Sequence, residues 1–220
     1  MAFIGQRIFL NLQGKTLVLP QIKRPMFTGI IEAAGEVVSI EREGTNIHFG
    51  IASSISDELK IDQSVAHSGT CLTVVKIDNG VHTVTAIDET LKKTNLGDWK
   101  EGTQVNLERC MVANGRFDGH IVQGHVDQVG QVEAVSEEDG SWLFDFSYDT
   151  QEGNVTVEKG SICINGTSLT CFNSEAGRFR VAIIPYTYEH TNFNQLKPGD
   201  VVNLEFDIVG KYVKRLLGQS

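Results

Sequence analysis

The sequence predicts an all-β chain of two similar small barrels followed by one terminal helix. Three observations carry this: an internal repeat at a fixed offset, period-two alternation along most of the chain, and one amphipathic stretch at its end. The repeat is the strongest. Ser64-Val-Ala-His-Ser-Gly-Thr-Cys-Leu-Thr73 returns as Ser161-Ile-Cys-Ile-Asn-Gly-Thr-Ser-Leu-Thr170, displaced by 97 residues. The same offset, without a gap, aligns Thr90, Thr94-Asn95, Lys100, Gly102 and Val105-Asn-Leu-Glu108 with Thr187, Thr191-Asn192, Lys197, Gly199 and Val202-Asn-Leu-Glu205. Positions 64–77 and 81–108 hold 16 identities in 42, which marks an internal duplication. Two such units in 220 residues are each large enough to bury a core.

The duplicated pattern begins at Met26. Residues 1–25 contain Arg7, Lys15, Lys23 and Arg24 and no acidic residue. Three readings of this extension stand open: an upstream start or other non-native leader, an organellar targeting peptide, or a native extension. The first is favoured because Met26 is itself a plausible start, and 1–25 is expected to be poorly ordered. From Met26 onward, Gly35–Ile40, Val81–Ile87 and Thr103–Glu108 alternate at period two, as do Gly130–Val135, Arg178–Ile183 and Val201–Phe206. These predict half-buried strands. Turn signals punctuate them at Glu43-Gly44, Asp78-Asn-Gly80, Glu138-Asp-Gly140, Glu175-Ala-Gly177 and Pro198-Gly-Asp200. Many short strands with regular turns argue for a small barrel or sandwich, and closure removes exposed edges. The units expected are 26–118 and 119–207, with a short join near 113–117 that packs them together. In 208–217 apolar residues fall at 208, 209, 212, 213, 216 and 217, with Lys211, Lys214 and Arg215 opposite. That stripe predicts a helix over 208–220, capping its own barrel or packing on sister copies.

Bulk properties exclude several classes. A net charge of −9 disfavours a nucleic-acid surface, which needs clustered cations. No stretch approaches the roughly 20 apolar residues of a membrane span. Cys71, Cys110, Cys163 and Cys171 have no CxxC spacing and read as free thiols in a reducing cytoplasm. No Cys/His/Asp cluster has metal-ligand spacing, and no phosphate loop, dinucleotide fingerprint or hydrolase elbow is present.

The chemistry is expected in the repeated Gly-Thr-[Cys/Ser]-Leu-Thr. Gly69 and Gly166 permit a tight turn or close backbone approach. Thr70, Cys71 and Thr73, and Thr167, Ser168 and Thr170, then line up small hydrogen-bonding groups. A barrel turn with satisfied hydroxyls explains one copy, but turn geometry alone does not require Leu-Thr in both. Within the repeat Cys71 stands opposite Ser168 and His67 opposite Ile164. A thiol replacing a hydroxyl in an otherwise retained motif suggests asymmetric chemistry. Met26–Glu32 aligns with Ile121–Asp127 at an offset of 95, setting Ile30 against His125. His120 and His125 are edge contacts or acid-base groups.

At these residues the chain resembles riboflavin synthases. Met-Phe-Thr-Gly-Ile at 26–30, the Ser64–Thr73 motif, Glu-Thr-Leu-x-x-Thr-Asn-Leu-Gly at 89–97, Gly-His-x-x-x-Gly-His at 119–125 and Gly-x-Ser-Leu-Thr at 166–170 carry the resemblance. It implies two homologous six-stranded Greek-key barrels and a C-terminal trimerising helix. The implied reaction joins two molecules of 6,7-dimethyl-8-ribityllumazine, one giving a four-carbon unit to the other. The products are riboflavin and 5-amino-6-ribitylaminouracil, with no metal, flavin or nicotinamide cofactor. The implied partners are the small-molecule substrate, two lumazines per active site, and sister subunits of a homotrimer whose site lies at the subunit interface. Lumazine synthase is a further partner left open; nucleic acid and membrane are not implied.

Carried over by position, the first-barrel site would use Phe27, Gly29, Ile30, Ile31, Ser64, Thr70, Cys71, Leu72, Thr73, Thr85, Ala86, Ile87, Asp88, Glu89 and Thr90. The second would use Gln123, Gly124, His125, Lys159, Gly166, Thr167, Ser168, Thr170, Ala182, Ile183, Ile184, Pro185, Tyr186, Thr187 and Asp207. Catalytic roles would fall to Cys71, Ser64, His125, Ser168 and His120. A non-catalytic lumazine- or flavin-binding relative, an antenna or carrier, is the alternative. Retention of Cys71, Ser168, Thr170, His120, His125 and the apolar helix favours the enzyme. A ligand-free scaffold explains the barrels but not the retained polar motifs.

Overall fold

Alternation turns one face of each strand inward, and in the first half six strands close on themselves. The computed structural model describes residues 8–10, 16–18, 26–112 and 114–218. Within the extension, β1 (Ile8–Leu10) and β2 (Thr16–Val18) pair antiparallel. The rest of 1–25, and the expectation of poor order there, falls outside the described residues. The first barrel comprises β3 (Ala33–Glu43), β4 (Asn46–Ser53), β5 (Ser64–His67), β6 (Thr70–Asp78), β7 (Val81–Ala86) and β8 (Gln104–Arg109). It closes in the order β3-β4-β7-β6-β5-β8. β5, β6 and β7 are hairpin-connected neighbours, and β4 lies beside β7, which is a Greek key. Asn79-Gly80 and Asp139-Gly140 adopt φ of 49°, 77°, 40° and 85°. Paired positive φ is what a two-residue hairpin turn needs to match strand twist.

The second unit repeats the topology with one break. β9 (Gln128–Glu138), β10 (Ser141–Tyr148), β11 (Ser161–Ile164), β12 (Thr167–Thr170), β13 (Phe172–Glu175), β14 (Arg178–Ile183) and β15 (Val201–Phe206) form one curled sheet. Its order is β12-β11-β15-β9-β10-β14-β13. The two end strands are consecutive in the chain, separated by Cys171 alone. Six strands were expected; the one matching β6 is split. At the break Cys171 bonds to the loop before β11 (Cys171 N to Gly160 O, 2.9 Å; Lys159 N to Cys171 O, 2.9 Å), and Asn173 takes φ 48°. Helices α1 (Asp88–Lys93) and α2 (Pro185–His190) occupy matching places after β7 and β14. Six residues are too few to display a periodic stripe, so alternation did not reveal them. The terminal helix α3 (Ile208–Leu216) is present, its first turn capped by Asp207 accepting from Val209 N at 2.9 Å.

Each barrel has its own core, and the two differ in composition. The first buries Val37, Phe49, Ile51, Val65, Val84 and Leu107, while the second stacks Phe144, Phe146, Phe179 and Phe193. Full burial of each large side chain contributes roughly 1.5–3 kcal/mol. Where the second barrel places Ile164 and Phe179, the first places His67 and His82, both fully buried. Their Nε2 atoms lie 2.8 Å apart. His67 Nδ1 sits 3.0 Å from the Val65 carbonyl, which can only accept, so His67 carries its proton there. His82 therefore donates to His67 through Nε2, and its Nδ1 accepts from Ser56 Oγ at 2.8 Å. No further proton fits this chain.

Burial, reinforced by His82, lowers His67 to about 3, and burial lowers His82 to about 4. Unfolding raises both towards 6.5, so the pair's contribution is complete above that pH and is lost as pH falls towards 4. The limiting slope is roughly 1.4 kcal/mol per pH unit for each histidine. Urea denaturation between pH 7 and 4.5 should therefore steepen in its loss of stability, and His67→Ile with His82→Phe should flatten it. An unchanged slope in that double variant would contradict the assignment.

Candidate active site

The residues preceding each barrel cross over to the other one. Phe27 and Val122 form an isolated antiparallel bridge between the halves, with N–O distances of 2.8 and 3.1 Å. Phe27, Ala66, Val122 and Cys163 bury one another there, with Cys71 and Cys110 packed alongside. Three kinds of neighbouring contact then occur twice. Cys71 N donates to Gly124 O, and Ser168 N to Gly29 O, both at 2.8 Å. Asn106 Nδ2 donates to Asn165 O, and Asn203 Nδ2 to Ser68 O, both at 2.9 Å. Asn192 N reaches Asn106 Oδ1 at 2.7 Å, and Asn95 N reaches Asn203 Oδ1 at 2.8 Å.

This crossing exchanges two of the expected groupings. Gly29, Ile30 and Ile31 were assigned to the first-barrel site, yet Gly29 lies on Ser168 and Ile31 approaches Gly166. Gly124, assigned to the second, lies on Cys71. A Cβ on Gly29 would come within 2.6 Å of the Ser168 Cβ, and one on Gly124 within 2.6 Å of the Cys71 Cβ. Both glycines also hold φ near 77°. Only glycine permits that approach.

An open cavity of about 410 Å³ follows on the second barrel, lined by Ile30, Asp118, Gly119, Ser161, Ser168, Leu169, Thr170, Ala182, Ile184 and Thr187. None of these comes from the strands of the first barrel. The repeat carries the lining onto Ser64, Cys71, Leu72, Thr73, Thr85, Ile87 and Thr90, with His125 in the place of Ile30. Ile87 and Ile184 are both exposed. Thr85 Oγ1 is 2.8 Å from His48 Nδ1, a residue the sequence reading missed; its signal is an outward position on β4 level with Thr85.

Several expected residues face elsewhere. Phe27 is in the inter-barrel core, and Leu72, Ala86 and Ile183 point into barrel cores, so any ligand meets their main chain. The Thr70 and Thr167 hydroxyls are buried without a partner among the described residues. Lys159 stands over the Phe172 ring at 5.1 Å, outside the cavity lining. Tyr186 stacks on His190 and lines a separate groove with Ile31 and Asn106. Pro185 opens α2, while Asp88 and Glu89 form the first turn of α1. Gln123 is held through its N–H by Glu205.

The two sites differ in their reactive groups. In the second, His120 Nδ1 lies 2.7 Å from Ser168 Oγ. Burial lowers the His120 pKa below the ordinary 6.5 although Asp207 opposes it, so the imidazole is neutral and free to accept the hydroxyl proton. In the first, burial and then Cys110 push the Cys71 thiol up to about 11 against the pull of Ser64. At neutral pH it is a thiol, not a thiolate. Among the described residues no three His, Cys, Asp or Glu gather as a metal cluster.

Comparison with known proteins defines the class first. The lumazine binding domain matches residues 28–110 and again 123–207, so the chain carries two such domains in tandem. It is 41% identical to the riboflavin synthase of Actinobacillus pleuropneumoniae over 87% of this chain and 90% of that one. It is 39% identical to that of Bacillus subtilis (89% and 91%) and 39% to that of Saccharomyces cerevisiae (86% and 85%). The chain belongs to the riboflavin synthase family. Its fold matches crystal structures of LumP complexed with 6,7-dimethyl-8-(1'-D-ribityl) lumazine and with riboflavin. Each match has a TM-score of 0.75 at 23% identity and covers 98% of LumP, with 81% and 82% of this chain.

The close approach at the crossing is testable by one methyl group. Gly124→Ala must displace Cys71 and hold a strained φ, so it should lower unfolding stability by roughly 2 kcal/mol or more in a thermal melt. An unaltered melting temperature would refute the contact.

Proposed function

We propose that the chain catalyses the dismutation of two 6,7-dimethyl-8-ribityllumazine molecules to riboflavin and 5-amino-6-ribitylaminouracil, as a group-transferring enzyme with no cofactor. The single observation that carries this reading is the second-barrel cavity at Ser168, whose lining recurs by residue in the repeat with Cys71 in place of the serine. The four-carbon unit leaves one ring and joins the other, and the two products together contain all the atoms of the two substrates. The C7 methyl of the lumazine is acidic because its anion delocalises through the heterocycle, so a modest base suffices. We assign that base to His120 acting through Ser168, with the lumazine it deprotonates in the second-barrel cavity. Cys71, as a neutral thiol, donates or positions water at the partner lumazine, with Ser64 and His125 beside it. Holding the two rings face to face converts a bimolecular encounter into an intramolecular step.

Assembly belongs to the same proposal. The second-barrel cavity borrows nothing from the first barrel's strands, which supports a facing ring presented by another chain. Val209, Tyr212, Val213, Leu216 and Leu217 leave an apolar face of α3 exposed, which suits a homotrimer with each site between subunits. Cytoplasmic location and association with a lumazine synthase remain parts of the proposal that rest on the family resemblance. The antenna or carrier reading is supported only by the likeness to LumP in fold.

Incubation with the lumazine while following riboflavin fluorescence tests the reaction; a shifted ligand spectrum without riboflavin would favour the carrier. His120→Ala should lower kcat by roughly 100-fold or more with lumazine still bound. The acid limb of kcat should lie below pH 6.5, the ordinary histidine value. Full turnover in that variant would remove His120 from the base role. Leu216→Glu should yield subunits that sediment as monomers and bind lumazine without turning it over, and active monomers would contradict the shared site.

A further inference from the structure

Two buried carboxylates stand beneath the crossing segments and have no part in the reaction described above. Glu108 and Glu205 occupy the same place in the repeated Val-Asn-Leu-Glu and are 4% and 2% exposed. No cation is paired with either among the described residues; each is satisfied by main-chain donors of the loop that leaves its own half. Glu108 Oε1 accepts from Thr28 N at 2.7 Å and Thr28 Oγ1 at 2.9 Å, and its Oε2 from Gly29 N at 3.0 Å. Glu205 Oε1 accepts from Gln123 N at 2.7 Å and Oε2 from His125 N at 2.9 Å. Burial raises both carboxyls above their ordinary value; the Thr28 and Gly29 donors pull Glu108 back, and the Gln123 N–H, Lys211 and the His125 N–H pull Glu205 back. A buried carboxylate held by such donors stabilises one loop position strongly, because releasing it strands a desolvated charge.

The loops so held end on the opposite barrels. Gly29 and Ile30 reach Ser168 and its cavity, whereas Gly124 lies on Cys71. We propose that Glu108 and Glu205 are positioning residues acting crosswise: Glu108 of the first barrel fixes the wall of the second-barrel lumazine site, and Glu205 of the second barrel fixes that of the first. The proposal rests on the reading of these cavities as lumazine sites. It assigns to each half of the duplication control over the other half's substrate, which a carboxylate of merely structural importance to its own barrel would not have.

Alkylation of Cys71 by iodoacetamide, followed by tryptic mass mapping, separates these possibilities without any turnover. Aspartate keeps the charge, and so leaves the electrostatics of the thiol in place, but falls short of the loop. In Glu205→Asp, Cys71 should react roughly tenfold faster than in the unaltered chain, as expected when charge-assisted hydrogen bonds are lost, while Glu108→Asp should stay within about twofold. With Ser168→Cys as reporter the pattern should invert, Glu108→Asp exposing the new thiol and Glu205→Asp leaving it protected. Equal acceleration by both variants, or by neither, overturns the proposal. If Glu205→Asp does not melt cooperatively, Glu108→Asp with the Ser168→Cys reporter carries the test alone: the new thiol should react faster while Cys71 is unchanged, and no acceleration of it overturns the proposal. Lumazine should protect Cys71 in the unaltered protein. Absence of protection would overturn the lumazine reading of the cavity, whereas the crossed pattern alone decides the positioning claim.

Discussion

Phe27 and Val122 exchange two backbone hydrogen bonds where the halves meet, and the arrangement of the sites follows from that short bridge. Because each residue lies in the segment entering its own barrel, pairing them carries both segments past the interface and onto the neighbouring barrel. Gly29 is thereby set on Ser168, and Gly124 on Cys71. Hydrogen bonding alone would tolerate other residues here. What fixes glycine is the 2.6 Å separation an added Cβ would have from the reactive side chain's own Cβ. The interface and the chemistry are therefore one construction.

The repeated Val-Asn-Leu-Glu explains how that construction is held. Asn106 and Asn203 each donate to a turn carbonyl of the opposite barrel and accept from a backbone N–H beyond it, and both are buried. A buried amide with its partners met at both ends specifies one docking geometry, since any slip leaves polar groups unpaired. The following glutamates then order the crossing loops. The halves diverge at Cys71 and Ser168 and also in their cores, where a His67–His82 chain fills the first barrel and Ile164 and Phe179 fill the second.

Much of this was legible in the residues. The 97-residue offset and period-two alternation predict two β units and most of their strands, and the motif divergence singles out Cys71 and Ser168. Three things were hidden, each for a physical reason. Short helices such as α1 and α2 complete too few turns to show a stripe. The split of the second barrel's strand at Cys171 goes with a left-handed Asn173, which no side-chain pattern reveals; the main-chain bonds of Cys171 have counterparts at Val74 in the unbroken β6. The exchange of loops is a property of tertiary pairing: adjacency in sequence groups Gly29–Ile31 and Gly124 with their own barrels, whereas each lies against the opposite one. The roles of Asn106, Glu108, Asn203 and Glu205 were within reach, since the repeat retains them, but retention alone did not say that they work across the interface.

The central claim is that one duplicated fold, tied at a crossed bridge, presents two lumazines to each other from two chains. A crystal structure of the assembly soaked with 6,7-dimethyl-8-ribityllumazine tests it most directly. The account predicts one ring between Ile30 and Ser168, a second between His125 and Cys71 of a neighbouring chain, and the two rings in face-to-face contact. Ligand in the first-barrel cavity walled by Gly29–Ile31 of its own half, or two rings too far apart to touch, would contradict it.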